Sequence, residues 1–143
     1  MGGWCMRPEE RRRLPGSPAE WIKHAESDLR LARLGAKDDA VQRGQVCFHI
    51  QQAAEKAIKA VLLSRGIDFP LVHDIEELLE LVLQGGVTVP ETVDRAGQLS
   101  PYAVEARYPG CWMEKILDVD VVEGLEIAEE TILWAGRIVA LAP

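Results

Sequence analysis

The stretch QVCFHIQQAAEKAIKAVLLSR, Gln45 to Arg65, constrains the fold of this chain more than any other. It contains no Gly or Pro, is rich in helix-forming Ala and Lys, and runs into Gly66, a natural helix stop. Val46, Ile50, Ala53, Ala54, Ala57 and Val61 recur at helical spacing, which predicts one long helix with a buried stripe. His49, Gln52, Lys56 and Lys59 step by three, four and three, so they share a second, polar face. A helix that buries one side and displays an ordered row of donors on the other needs a helical partner on each flank.

The remaining chain supplies those partners. Residues 1–17 read as an arm: they lack periodicity and carry the run Arg11-Arg12-Arg13. Two readings of that run stay open, an unstructured extension and a basic arm that touches phosphate. Ser17-Pro18-Ala19-Glu20 is a capping box with Pro at the first helical position. Trp21, Ala25, Leu29 and Ala32 then carry a helix to about Leu34 or Gly35, and residues 37–44 form a polar loop. Asp74-Ile75-Glu76-Glu77 caps a further helix through Leu78, Leu79 and Val82, closed by Gly85-Gly86. Thr88 to Glu91 offers a box for a shorter helix with Val93, Ala96 and Leu99. Asp120 and Glu123 open a last one, whose apolar positions Val121, Leu125, Ala128, Ile132, Ala135 and Val139 form a near-heptad seam. With β-branched clusters confined to helical periods, the expected fold is all-α. It is an up-and-down four-helix bundle with an additional short helix, occupying residues 18–143 as one domain.

Composition narrows the function. The net charge of −7 argues against a protein held on nucleic acid or anionic lipid by bulk electrostatics. A local basic patch stays open, because several of the arginines are clustered. Cys5, Cys47 and Cys111 are far apart, without CxxC or Cys/His spacing, which implies buried or idle thiols in a reducing cytoplasm and no metal site. No apolar run reaches the roughly 18 residues that span a bilayer, and the start of the chain has no signal-peptide core. GxxxxGK[ST], GxGxxG and HExxH are all absent, so no autonomous NTPase, dehydrogenase or zinc protease is expected; the aspartates and glutamates fall at caps and outer faces, so no nucleotidyltransferase is expected either, and no cofactor.

AEWIKHAESDLRLA, CFHIQQAAEKAIKAVLLSRG, VHDIEELL and ARYPG occur in that order on the expected elements, and together they resemble a small prokaryotic HEPN domain. The resemblance covers about Ala19 to Leu141. It implies a homodimeric helical bundle, encoded beside a minimal nucleotidyltransferase as one component of a toxin–antitoxin module. It also implies a protein that binds nucleotide or RNA. Many HEPN proteins are metal-independent ribonucleases with an Arg four to six residues before a His; others are non-catalytic.

Candidate residues follow from both sources. Arg43 and His49 match the Arg/His spacing, with His49 as proton-transfer group and Arg43 as phosphate clamp, although in the family that motif belongs near a later helix start. The other reading of this pair is a helix-start Arg beside a structural His. Arg107 and Tyr108, from the RYP signature, and Tyr102 upstream are candidates for phosphate and base. The alternative for Arg107 is an ion pair with Glu55. Gln52, Lys56 and Lys59 would line the same cleft, or pair at the surface, as Glu55 and Lys59 do at i and i+4. His73, beside the Asp74 cap, is expected to bond within its own turn, and Trp21, Trp112 and Trp134 to sit in the core or an interface. Leu31, Leu34, Leu62, Leu63 and Leu133 fall outside the main stripes and predict a second copy. The function expected from all this is nucleotide or RNA phosphate binding in partnership with a nucleotidyltransferase. A metal-independent endoribonuclease toxin and a dimeric scaffold without chemistry are the alternatives.

Overall fold

The computed structural model describes residues 16–103 and 115–141. Its centre is the predicted long helix, α2 (Arg43–Ser64), which follows α1 (Pro18–Ala36). After it come α3 (Ile75–Gln84), the single turn α4 (Glu91–Asp94), a 3₁₀ segment over Arg95–Ala103, and α5 (Asp118–Leu141). Among the described residues there is no strand.

Helix ends follow local chemistry. Ser17 Oγ accepts from Glu20 N at 3.2 Å and the Glu20 carboxylate accepts from Ser17 N, so the first capping box forms in full. Asp74 accepts from Glu76 N at 3.0 Å. At the end of α2, Gly66 N donates to Leu63 O and Ile67 N to Leu62 O, the paired bonds of a Schellman stop. Those bonds require the left-handed backbone that Gly66 adopts, with φ +66°. Gly86 closes α3 in the same way through Val87 N to Val82 O.

Two expected caps are displaced. Helix α5 begins at Asp118, because Asp120 reaches back to accept from Leu117 N at 2.8 Å instead of serving as the cap itself. Glu123, expected to complete that box, pairs with Arg95. Thr88 does not cap α4; its carbonyl accepts from the Trp134 indole at 3.2 Å, and Pro90 stands at the N-cap with no side-chain bond.

Helices α1 and α2 run antiparallel: Gly35 lies against Val46 and His24 against Lys56. Small residues make this approach close, since Ala25, Ala32, Ala53, Ala54 and Ala57 are all essentially inaccessible. After α2 the chain doubles back, so that α3 starts beside Glu55, and α4 with the 3₁₀ segment makes the return stroke to α5. Against α2, α5 is close enough that a Cβ on Gly124 would stand 3.3 Å from Ile50 Cγ2.

With α1, α3, α5 and the 3₁₀ segment packed against it, α2 is buried nearly all round, with Ile58, Ala60 and Leu62 inaccessible beside the expected stripe. Leu62 is therefore core and no candidate for an outer contact. Leu31, Leu34 and Leu133 are exposed, as the sequence suggested. Among the described residues no helix is long and apolar enough to cross a membrane.

Candidate functional site

The polar residues of α2 are organised by two carboxylates. Glu55, 3% exposed, accepts from Gln51 Nε2 at 3.1 Å, Lys59 Nζ at 3.2 Å and His73 Nδ1 at 2.9 Å. Gln51 Nε2 also faces the His73 carbonyl, and Gln52 Nε2 donates to Gln51 Oε1 at 2.8 Å. A continuous chain of hydrogen bonds thus runs from Gln52 to Lys59, and the Lys59 ammonium lies 5.9 Å from the Phe69 ring centroid. Two expectations are corrected here. Glu55 and Lys59 pair inside the protein, not at its surface, because α3 and the segment leading to it cover them. His73 bonds to Glu55 rather than within its own turn, since doubling back sets it over the middle of α2.

The second carboxylate is Asp28 on α1. Its Oδ2 accepts from Lys56 Nζ at 2.6 Å, and its Oδ1 faces His49 Nδ1 at 3.3 Å. A carboxylate only accepts here, so His49 carries hydrogen on Nδ1, which leaves Nε2 as the open nitrogen of a neutral ring. Lys56 Nζ also lies 3.0 Å from His24 Nδ1; an ammonium only donates, so His24 carries its hydrogen on Nε2. His49 lines a largely apolar cleft of about 470 Å³ with Leu31, Val41 and Phe48, and Lys56 a smaller one with Trp21 and His24.

Arg43 is elsewhere. Six helical steps take Arg43 to His49, which puts them about 120° apart around the helix axis. Its Nη1 donates to Ile116 O at 2.8 Å and its Nε to Asp118 Oδ1 at 2.9 Å, tying the start of α2 to the start of α5. The Arg43 guanidinium and the His49 ring are therefore held by different partners within one chain. Tyr102 belongs to the Arg43 end. Burial first, then Cys47, Asp120 and Glu123, push its phenol up to about 12. Burial and Asp120 likewise raise the Cys47 thiol to about 12, so this cysteine is no nucleophile. Arg107, Tyr108 and Trp112 lie outside the described residues. Among the described residues no three His, Cys, Asp or Glu side chains converge as a metal site would require.

Sequence reasoning named Gln52, Lys56, Lys59 and His49, but missed Asp28 and Gln51 and what they do. The signal for Asp28 was its place four residues after His24 on α1. Its use depends on which helix faces it.

A core of helices around one almost fully buried helix, with an ordered polar network along it, defines an all-α bundle of a particular kind. The family model for the HEPN domain matches residues 18–142, and the chain belongs to that family. The crystal structure of a protein from Thermus thermophilus superposes with a TM-score of 0.74 at 28% identity, over 85% of this chain and 97% of that one. An archaeal protein described as a HEPN homologue gives 0.69 at 29% identity, over 87% and 99%. The search of curated proteins found no match.

Proposed function

We propose that this HEPN protein binds nucleotide or RNA phosphate as a homodimer, and serves with a minimal nucleotidyltransferase as one component of a toxin–antitoxin module. The observation that carries the binding reading is the network along α2. An ion pair as buried as Lys59–Glu55 adds little to stability over an apolar pair of the same size, so a functional role accounts better for it. The network continues to Gln52, and Lys56 lines a cleft. Arg107 and Tyr108 join this reading through the family resemblance. Exposed Leu31, Leu34 and Leu133 support the dimer.

The test is calorimetric titration with nucleotides and a short single-stranded RNA. Arg107→Ala and Lys56→Ala should each weaken binding by about 1–3 kcal/mol. Arg107→Ala should leave the melting temperature unchanged; a lower melting temperature with unaltered affinity would make Arg107 structural. Sedimentation at micromolar concentration should show twice the 15.9 kDa chain, and a lone monomer would remove the dimer.

One observation favours the ribonuclease alternative: Asp28 holds His49 in the tautomer a general base needs, as the aspartate of a catalytic triad does. Cleavage of the same RNA in EDTA, abolished by His49→Ala, would establish it. Intact RNA leaves the binding reading.

A further inference from the structure

The cleft between the first turns of α1 and the middle of α2 measures about 260 Å³ and is lined by Gly16, Glu20, Trp21, His24 and Lys56. Its lining combines an indole ring, a carboxylate and two nitrogen donors. We propose that it is a nucleobase site, taking an unpaired guanine. This rests on the nucleotide or RNA reading above and assigns the base, not the phosphate, to these residues.

Charge decides between base and phosphate. Among the described residues lining the cleft, the Lys56 ammonium is already matched by Asp28 at 2.6 Å, and Glu20 adds a negative charge beside it. Among the described residues, a phosphate would meet no net positive charge there. A neutral heteroaromatic ring meets what it needs: a ring to stack on, acceptors and donors.

The donors are fixed by the network. Lys56 spends two N–H bonds on Asp28 and His24, which leaves a third, and accepting at Nδ1 leaves His24 with Nε2–H. The acceptor is Glu20, whose Oε1 accepts from Ser17 N at a long 3.4 Å. Its Oε2 and the Trp21 Nε1 edge flank one position, 3.7 and 3.4 Å from where a Cβ on Gly16 would stand. Glycine at 16, with φ +92°, keeps that position clear. Guanine carries two adjacent donors, N1–H and N2–H₂, which suit a carboxylate, next to the O6 acceptor that suits Lys56 or His24. Adenine offers a single exocyclic donor there and makes the weaker partner.

The full chain would be titrated with GMP, guanosine, AMP and inorganic phosphate, and with single-stranded RNA having or lacking guanine. GMP and guanosine should bind within a few-fold of each other, AMP about fivefold or more weaker, and phosphate alone not at all. Glu20→Gln should weaken GMP about fivefold or more with an unchanged melting temperature, because Gln also completes a capping box. Trp21→Ala should weaken it as well, while Trp21→Phe retains most of the affinity. Guanine-containing RNA binding more than tenfold tighter than GMP would make RNA the source of the base; equal affinity would make it the free nucleotide. Phosphate binding as well as GMP would overturn the proposal. So would GMP binding that ignores Glu20→Gln and Trp21→Ala, an outcome that leaves the nucleotide reading intact. No binding of any nucleotide or RNA would remove both.

Discussion

Glu55→Ala should lower the stability of this protein by about 3–5 kcal/mol, a fall in melting temperature on the order of 10–20 °C. The reason is what it leaves behind. The Lys59 side chain is 7% exposed and its ammonium has Glu55 as its ion-pair partner, so truncation strands a charge in the interior. Gln51 Nε2 and His73 Nδ1 lose the same acceptor. Glu55→Gln keeps an acceptor while removing the charge, and should fall between wild type and Ala. Replacing both partners, Glu55→Met with Lys59→Met, should recover most of the loss, because the stranded charge goes with its partner. If Glu55→Ala cost under about 1 kcal/mol by denaturant unfolding, Lys59 would be reaching solvent and the buried network would not hold. The paired replacement also separates fold from function: a stable double variant that no longer binds ligand shows the network is kept for binding.

The same pair shows how far the sequence could be read. Spacing i to i+4 on α2 puts Glu55 beside Lys59, and any helix reading finds that. Whether water reaches them depends on α3 and the 65–74 segment folding back over them, which no local pattern encodes. His73 was misassigned for the same reason. The capping box at Ser17, the apolar stripe of α2 and the stops at Gly66 and Gly86 were legible because each is settled within a few residues. Leu62 was not, since a stripe assumes one buried side and α2 is enclosed by α1, α3, α5 and the 3₁₀ segment. Nothing local marks Asp28, which becomes a junction between His49 and Lys56 only because α2 lies against α1. The Arg43–His49 spacing was visible along the chain, yet six residues around a helix send the two side chains to different partners.

Ile50→Ala should cost about 2–5 kcal/mol, by removing buried methyl groups at the point where α2 meets α5. Ile50 is inaccessible, and its Cγ2 and Cδ1 stand 3.3 and 3.4 Å from where a Cβ on Gly124 would be, with Leu99 Cδ2 at 3.7 Å. Glycine at 124 is thus the space into which Ile50 packs. Gly124→Ala gains about 1 kcal/mol of helix propensity, but in the wild type the added methyl crowds Ile50, and the two effects should nearly cancel. In the Ile50→Ala background the crowding is gone and the methyl fills part of the cavity. There, Gly124→Ala should stabilise by about 1 kcal/mol or more, and the two substitutions should couple by at least about 0.5 kcal/mol in urea unfolding. Additive effects would mean that the helices separate freely instead of interlocking. This contact lies two helical turns from Arg43, whose bonds to Ile116 and Asp118 need the two helix starts side by side. Loosening it should therefore disturb the Arg43 end of α2, while the Asp28–Lys56 and Glu55–Lys59 groups, braced by α1 and α3, keep their partners.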